Sequence, residues 1–258
     1  MMSLRFAVVA LVLAWFVPLP RGRWGGVFLL SLTMGTAHFG LFFIGISGVN
    51  ASVAAIVFQL GIVFSVLFAW LFLGEVFGWR RTGGMVIAFG GVSLIAGAPE
   101  PESNLTHLLI VLVSMVAWGL AAVQIRQLRD VSPMTLAAWI AIFSAPQLFV
   151  LSILIEDGQM TALSSAGALE WGTVVFAALG ASISGYGLWY YLIGKYDVST
   201  IMPFAFLNPL FAIVSAVIVL GEDFTPVRLA GAAVTLAGVG IIQWRSLSKN
   251  VPQRTPDA

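Results

Sequence analysis

The chain offers two histidines, His38 and His107, and no cysteine. A serine nucleophile needs a positioned base, and no Gly-x-Ser-x-Gly, His-Glu-x-x-His or phosphate-binding Gly-x-x-x-x-Gly-Lys pattern occurs. No enzyme, cofactor or metal site is therefore expected. What remains is hydrogen bonding by a few polar side chains set in apolar sequence. His38 shares one helical face with Ser31, Gly35, Phe42 and Gly45, at spacings of four, three, four and three. An imidazole there is either a hydrogen-bonding or proton-carrying group on a pore, with Phe42 one turn away, or a neutral ring bonded to a neighbouring helix. Gln59 and Asn208 present donor and acceptor without fixed charge, which suits a polar or zwitterionic small molecule. Their other use is bonding helix to helix. Trp118 either stacks an apolar or aromatic ligand or packs.

The elements that carry these groups are apolar runs. Of 258 residues, 60% are hydrophobic and 9% charged, with a mean hydropathy of +1.01. A water-soluble domain carries about 25% charged residues, so lipid must solvate most of this surface. Nine runs of spanning character cover 4–17, 24–47, 51–73, 82–97, 106–125, 134–155, 171–193, 199–220 and 227–244. The expectation is an all-α, polytopic helical bundle with short loops and a disordered tail over 245–258. Ser132-Pro133 and Thr225-Pro226 read as helix starts. Trp189, Tyr190 and Tyr191 read as interfacial anchors. Pro146, Pro203 and Pro209 read as kinks. Polar groups at mid-span must face protein or water. No carboxylate lies there, so proton coupling through Asp or Glu lacks a carrier.

Loops alternate sides. Arg21, Arg23, Arg80, Arg81, Arg126, Arg129, Lys195, Arg245, Lys249 and Arg254 share one side, against Arg5 and Arg228 on the other. That bias puts the first side, with the C-terminus, in the cytoplasm.

Leu73-Gly74-Glu75 recurs 147 residues later as Leu220-Gly221-Glu222. Holding that offset aligns 24–97 with 171–244 and gives 20 identities in 74 positions, among them Phe64/Phe211, Arg81/Arg228, Gly84/Gly231 and Gly91/Gly238. Charged and aromatic matches argue against coincidence between two leucine-rich stretches. Arg81 falls on the cytoplasmic side and Arg228 on the other, so the units are inverted, with any ligand site at mid-membrane where they meet. Gln59 and Asn208 both fall near that axis. Glu75 and Glu222 read as structural groups at helix ends, paired with Arg81 and Arg228. Gly83, Gly84, Gly90, Gly91, Gly97, Gly231 and Gly238 read as packing stripes. Run 106–125 has no partner in the first unit, which predicts a further helix encoded upstream; a functional nine-helix chain is the alternative.

Leu4-Arg5-Phe6-Ala7, Leu73-Gly74-Glu75 with Gly84 and Gly91, Met115-Val116-Ala117-Trp118-Gly119-Leu120, and Asn208-Pro209 with Leu220-Gly221-Glu222, Gly231 and Gly238 resemble the EamA-type members of the drug/metabolite transporter superfamily. The resemblance implies two inverted five-helix repeats, here 1–97 (lacking its first helix) and 106–244. It also implies export of amino acids, related metabolites or drugs across the bacterial plasma membrane by alternating access. The family's fourth-helix proline is replaced by Ile62, the counterpart of Pro209. The expected partners are a small-molecule substrate and the lipid bilayer, with no nucleic acid. The substrate set is His38, Phe42, Gln59, Trp118 and Asn208, His38 because the matching family helix contributes to the central cavity. Rival readings are a lipid-carrier translocator and a scaffold or accessory subunit that transports nothing.

Overall fold

The structure, a computed structural model, describes residues 1–76, 78–96, 104–185, 188, 207–223 and 225–249, with side chains to Gln243. Among the described residues there is helix and no strand. In chain order the helices are α1 (Met2–Leu13), α2 (Trp24–Ile46), α3 (Ala51–Leu73), α4 (Trp79–Ala96), α5 (Leu105–Gln127), α6 (Pro133–Ile155), α7 (Gln159–Ser165), α8 (Ala168–Ser184), α9 (Leu207–Leu220) and α10 (Pro226–Lys249). Five of them, α2, α3, α5, α6 and α10, are long and apolar enough to cross a bilayer, and α7 with α8 forms a pair bent by 104°. Helix α4 has 18 residues but opens on Arg80 and Arg81. Helix α1 has 12, about 18 Å at 1.5 Å per residue.

Starts and stops follow local chemistry. Ser132 accepts from the Thr135 N–H at 3.2 Å ahead of Pro133, and Asn104 caps α5 by accepting from the Thr106 N–H at 2.9 Å. The repeated Leu-Gly-Glu is a helix terminator built twice. Gly74 and Gly221 take φ of 66° and 68°, a left-handed conformation that costs an L side chain. The following glutamate N–H then turns back to Ala69 and Ala216, at 3.3 and 3.2 Å. α10 runs on to Lys249, five residues into the stretch expected to be disordered, because no helix breaker stands before Pro252. Trp189, Tyr190, Tyr191, Pro203 and Gly97 lie outside the described residues.

The inversion of the two units is visible in the α4–α10 pair. A Cβ placed on Gly84 would sit 2.7 Å from the Gly238 carbonyl oxygen, and one on Gly91 would sit 2.6 Å from that of Gly231. The 147-residue shift turns one of these contacts into the other. It does the same for Gly84 against Ile242 and Gly231 against Ile95. Between them, Thr235 Oγ1 lies 3.5 Å from the Ala88 carbonyl, and 88 and 235 are each other's counterparts. Antiparallel helices touching in this self-complementary way are related by a twofold axis perpendicular to both, which for spanning helices lies in the membrane plane. Gly83 and Gly90, also expected in the seam, would have no atom within 4 Å of an added Cβ because they fall on the opposite face. Both units also widen into π-helix at matching places, Ser31–His38 and Phe176–Ser184.

Contacts sort the loops into two ends. Arg23 pairs with Asp130 at 2.7 Å, Glu75 with Arg126, and the Trp139 indole N–H donates to the Pro18 carbonyl. The Arg23 guanidinium holds the exposed Asp130 carboxyl below the usual carboxylate range. At the other end the Asn104 N–H donates to the Gly48 carbonyl. There too the Glu222 carboxylate accepts from the Ala51 and Ser52 N–H groups, at 2.6 and 3.1 Å, and from Ser52 Oγ. Glu222 thus caps the start of α3, where a carboxylate meets free N–H groups and the positive end of the helix dipole. The expected pairing of Glu75 with Arg81 gives way to Arg126, because the α5 C-terminus ends beside it. Arg228 donates to the Asp223 carbonyl.

Arg5 also differs from expectation. It sits inside α1 rather than in a loop, donating to Ser182 Oγ at 3.0 and 2.8 Å and lying 5.5 Å from the centre of the Phe39 ring. Its neighbour Ser3 donates to the carbonyl of Ala145, which is at the centre of α6. An apolar-run search begins a span at its first uncharged stretch and pushes such an arginine to the edge.

Candidate functional site

A cavity of about 330 Å³ lies between α3 and α9, which are counterpart helices of the two units, with α2 as a third wall. It runs from Val49 and Ala51 at one end of α3 down to Gln59 near the middle of that helix. Phe42, Ala55 and Phe58 supply apolar surface, and among the described residues the polar side chains on the wall are Gln59 and Asn208. The volume falls in the range of small-molecule sites, as does the pattern of apolar walls with few polar groups.

Local backbone explains how Gln59 comes to face this space. Its N–H bonds to the Ile56 carbonyl and its carbonyl to the Ile62 N–H, both at 3.1 Å, so α3 tightens by a 3₁₀-type turn at this residue. Neither Gln59 nor Asn208 makes a side-chain hydrogen bond to another described residue. Two further in-span amides, to which the sequence alone assigns no role, behave oppositely. Gln147 accepts from Thr36 Oγ1 at 2.6 Å and donates to Ser31 Oγ at 3.0 Å. Gln124 donates to Thr33 Oγ1 at 3.0 Å. These two join helices, while Gln59 and Asn208 make no such link among the described residues.

His38 and Trp118 do not line the cavity. His38 is fully buried, and the face it shares with Gly35 and Gly45 is pressed against α5 and α6. A Cβ on Gly35 would overlap Ser144 Oγ, and one on Gly45 would come 2.5 Å from Val111 Cγ2. The glycines in that stripe signal close helix approach, not a pore. His38 Nδ1 lies 3.0 Å from the Ser114 carbonyl oxygen. Its ring packs among Phe39, Phe42, Phe58 and Trp118, with centroids 4.7, 5.8, 6.1 and 4.9 Å away. Trp118 lies against α3 at Gly61, where a Cβ would meet its ring at 2.7 Å. Phe42 and Phe58 belong to both the box around His38 and the cavity wall. The structure thus brings Phe42, Gln59 and Asn208 to one space and sets His38 and Trp118 one layer behind.

The profile of the EamA-like transporter family matches residues 1–97 and 105–244. The chain belongs to that family. It is accordingly a membrane transporter and not an enzyme. It is 26% identical to a protein of Escherichia coli (strain K12) named a probable amino-acid metabolite efflux pump, over 96% of this chain and 87% of that one. It is 29% identical to a probable terminal-alkyne amino-acid exporter of Streptantibioticus cattleyicolor, over 81% of this chain and 69% of the exporter. A crystal structure 18% identical in sequence superposes with a TM-score of 0.65, covering 95% of this chain and 86% of its own, and bears on the fold alone. The family's two inverted repeats are the relation seen here across Ala88 and Thr235.

Proposed function

We propose that the cavity bounded by Phe42, Gln59 and Asn208 holds a small neutral or zwitterionic metabolite of the amino-acid kind during export. The observation that carries this reading is the pair of amides without partners among the described residues, facing a space between counterpart helices whose described wall is otherwise apolar. Gln59 is buried, and a buried amide left unmatched is costly, a cost that a ligand in the cavity would relieve; Asn208 is exposed and free to bond the same ligand. The names of the relatives from Escherichia coli and Streptantibioticus cattleyicolor supply the cargo class. In this reading the units 1–97 and 106–244 rock about the α4–α10 axis and open the cavity to each side in turn. A phosphate-bearing lipid carrier would call for cationic groups at the site, and the described wall has none. A non-transporting scaffold has no use for the cavity.

In the same reading the protein sits in a bacterial plasma membrane, and the bias of lysine and arginine supports a cytoplasmic position for the C-terminus and the end holding Arg23, Arg126 and Asp130. With Arg5 withdrawn into α1, the opposite side keeps Arg228 alone of the twelve basic residues, which strengthens the assignment.

Purified protein in liposomes loaded with a panel of radiolabelled amino acids tests the reading. Saturable efflux of at least one member is expected. Efflux no faster than from protein-free liposomes across the whole panel contradicts it.

A further inference from the structure

His38 carries an acceptor that the fold leaves unmatched. The Ser114 oxygen it meets is a carbonyl and has no proton to give, so Nδ1 must donate, and the imidazole is held as the Nδ1–H tautomer. Nε2 then presents a bare lone pair. It is buried and has no hydrogen-bond partner among the described residues. Four aromatic rings pack against the imidazole, and two of them, Phe42 and Phe58, also line the cavity. Those rings are 5.7 Å apart, centre to centre. Each hangs near an irregular point of its helix. Phe42 follows the π-helical Ser31–His38 segment by one turn, and Phe58 immediately precedes the tightened turn at Gln59.

We propose that His38 is a specificity-determining residue whose Nε2 accepts an N–H of the cargo when Phe42 and Phe58 part. The inference rests on reading the cavity as the transport site. An acceptor buried among rings favours a cargo that brings a donor and rejects an analogue that lacks one, because only the former matches the lone pair. The surrounding ring faces also suit an ammonium group. A packing histidine would have no such selectivity.

The test uses the full chain in liposomes, with the best-transported amino acid of the panel and its N,N,N-trimethyl derivative. The derivative keeps the zwitterion and has no N–H on nitrogen. Transport gives KM and Vmax for the amino acid, and competition gives the inhibition constant of the derivative. His38→Leu should raise KM about tenfold, hold Vmax within about twofold, and leave the inhibition constant within about twofold. His38→Gln, which keeps an acceptor, should restore KM to within about threefold of wild type. An unchanged KM in His38→Leu overturns the proposal, as does an equal loss for both compounds with no rescue by Gln. If His38→Leu does not fold, His38→Phe and His38→Gln make the same comparison. A wild type that moves no amino acid overturns the transport reading and this inference with it; an active wild type with an indifferent His38→Leu overturns this inference alone.

Discussion

Gly91→Leu should leave no folded protein, while Gly90→Leu, one residue away, should be harmless. A Cβ on Gly91 would lie 2.3 Å from Thr235 Oγ1, 2.5 Å from the Thr235 backbone nitrogen and 2.6 Å from the Gly231 carbonyl oxygen. Backbone atoms of a packed helix cannot rotate aside as a side chain does, so α4 and α10 must separate. Inserting bulk into a tight interface costs about 1–3 kcal/mol when side chains can yield. Against backbone the cost should exceed about 3 kcal/mol, a large fraction of the total for a marginally stable fold. Gly90 faces outward with nothing within 4 Å, and leucine there meets lipid and improves helix propensity by somewhat under about 1 kcal/mol. Gly238→Leu should fail like Gly91→Leu, because the pseudo-twofold axis makes their environments equivalent. Fluorescence-detected size exclusion of the detergent-solubilised variants gives the answer directly. A monodisperse Gly91→Leu peak with a wild-type melting temperature would mean that these helices do not pack as described.

The amides divide into two kinds, and substitution should separate them. Gln59→Leu and Asn208→Leu remove no hydrogen bond to a described residue, so melting temperature should hold or rise, whereas transport per folded molecule should fall at least about tenfold, the equivalent of about 1.4 kcal/mol in cargo binding. Gln147→Leu removes both of its links from α6 to α2: the buried Ser31 hydroxyl keeps only its bond to the Phe28 carbonyl, and the half-buried Thr36 hydroxyl loses its acceptor, which costs about 1–3 kcal/mol. Its melting temperature should drop while the transport of what does fold stays near wild type. Loss of stability in all three variants, in step with activity, would make Gln59 and Asn208 structural groups like Gln147.

Much of the architecture is legible in the sequence because its signals are local. Leu-Gly-Glu needs a left-handed glycine at a helix end, so two copies at a fixed offset announce two equivalent helices. The glycines at 84, 91, 231 and 238 announce the seam between the units. Partners distant in sequence leave no such signal. Periodicity puts His38 on a definite face of α2 but does not say whether that face meets water or α5; Gly35 and Gly45 are the clue that it meets a helix. Gln124 and Gln147 carry no mark of their role because their partners Thr33, Ser31 and Thr36 lie about a hundred residues away. Glu75 has Arg81, the counterpart of Arg228, across the following loop, whereas the fold brings Arg126 to it. Gln59 and Asn208 stand out as a pair because the repeat itself places them near one axis, and the cavity at that place contains both.

Because the chain has no cysteine, a single introduced thiol reports one position without background. Ala55 lies on the cavity wall, and Ala141 is sealed between α1 and α6. In reconstituted protein, Ala55→Cys should react with a membrane-impermeant thiol reagent applied at the Ala51–Glu222 end. Modification should stop transport, and saturating cargo should slow the reaction several-fold, while Ala141→Cys stays inert. An Ala55→Cys that reacts without loss of transport, or whose reaction rate ignores the cargo, would contradict the claim that this cavity between the inverted units is where the cargo sits.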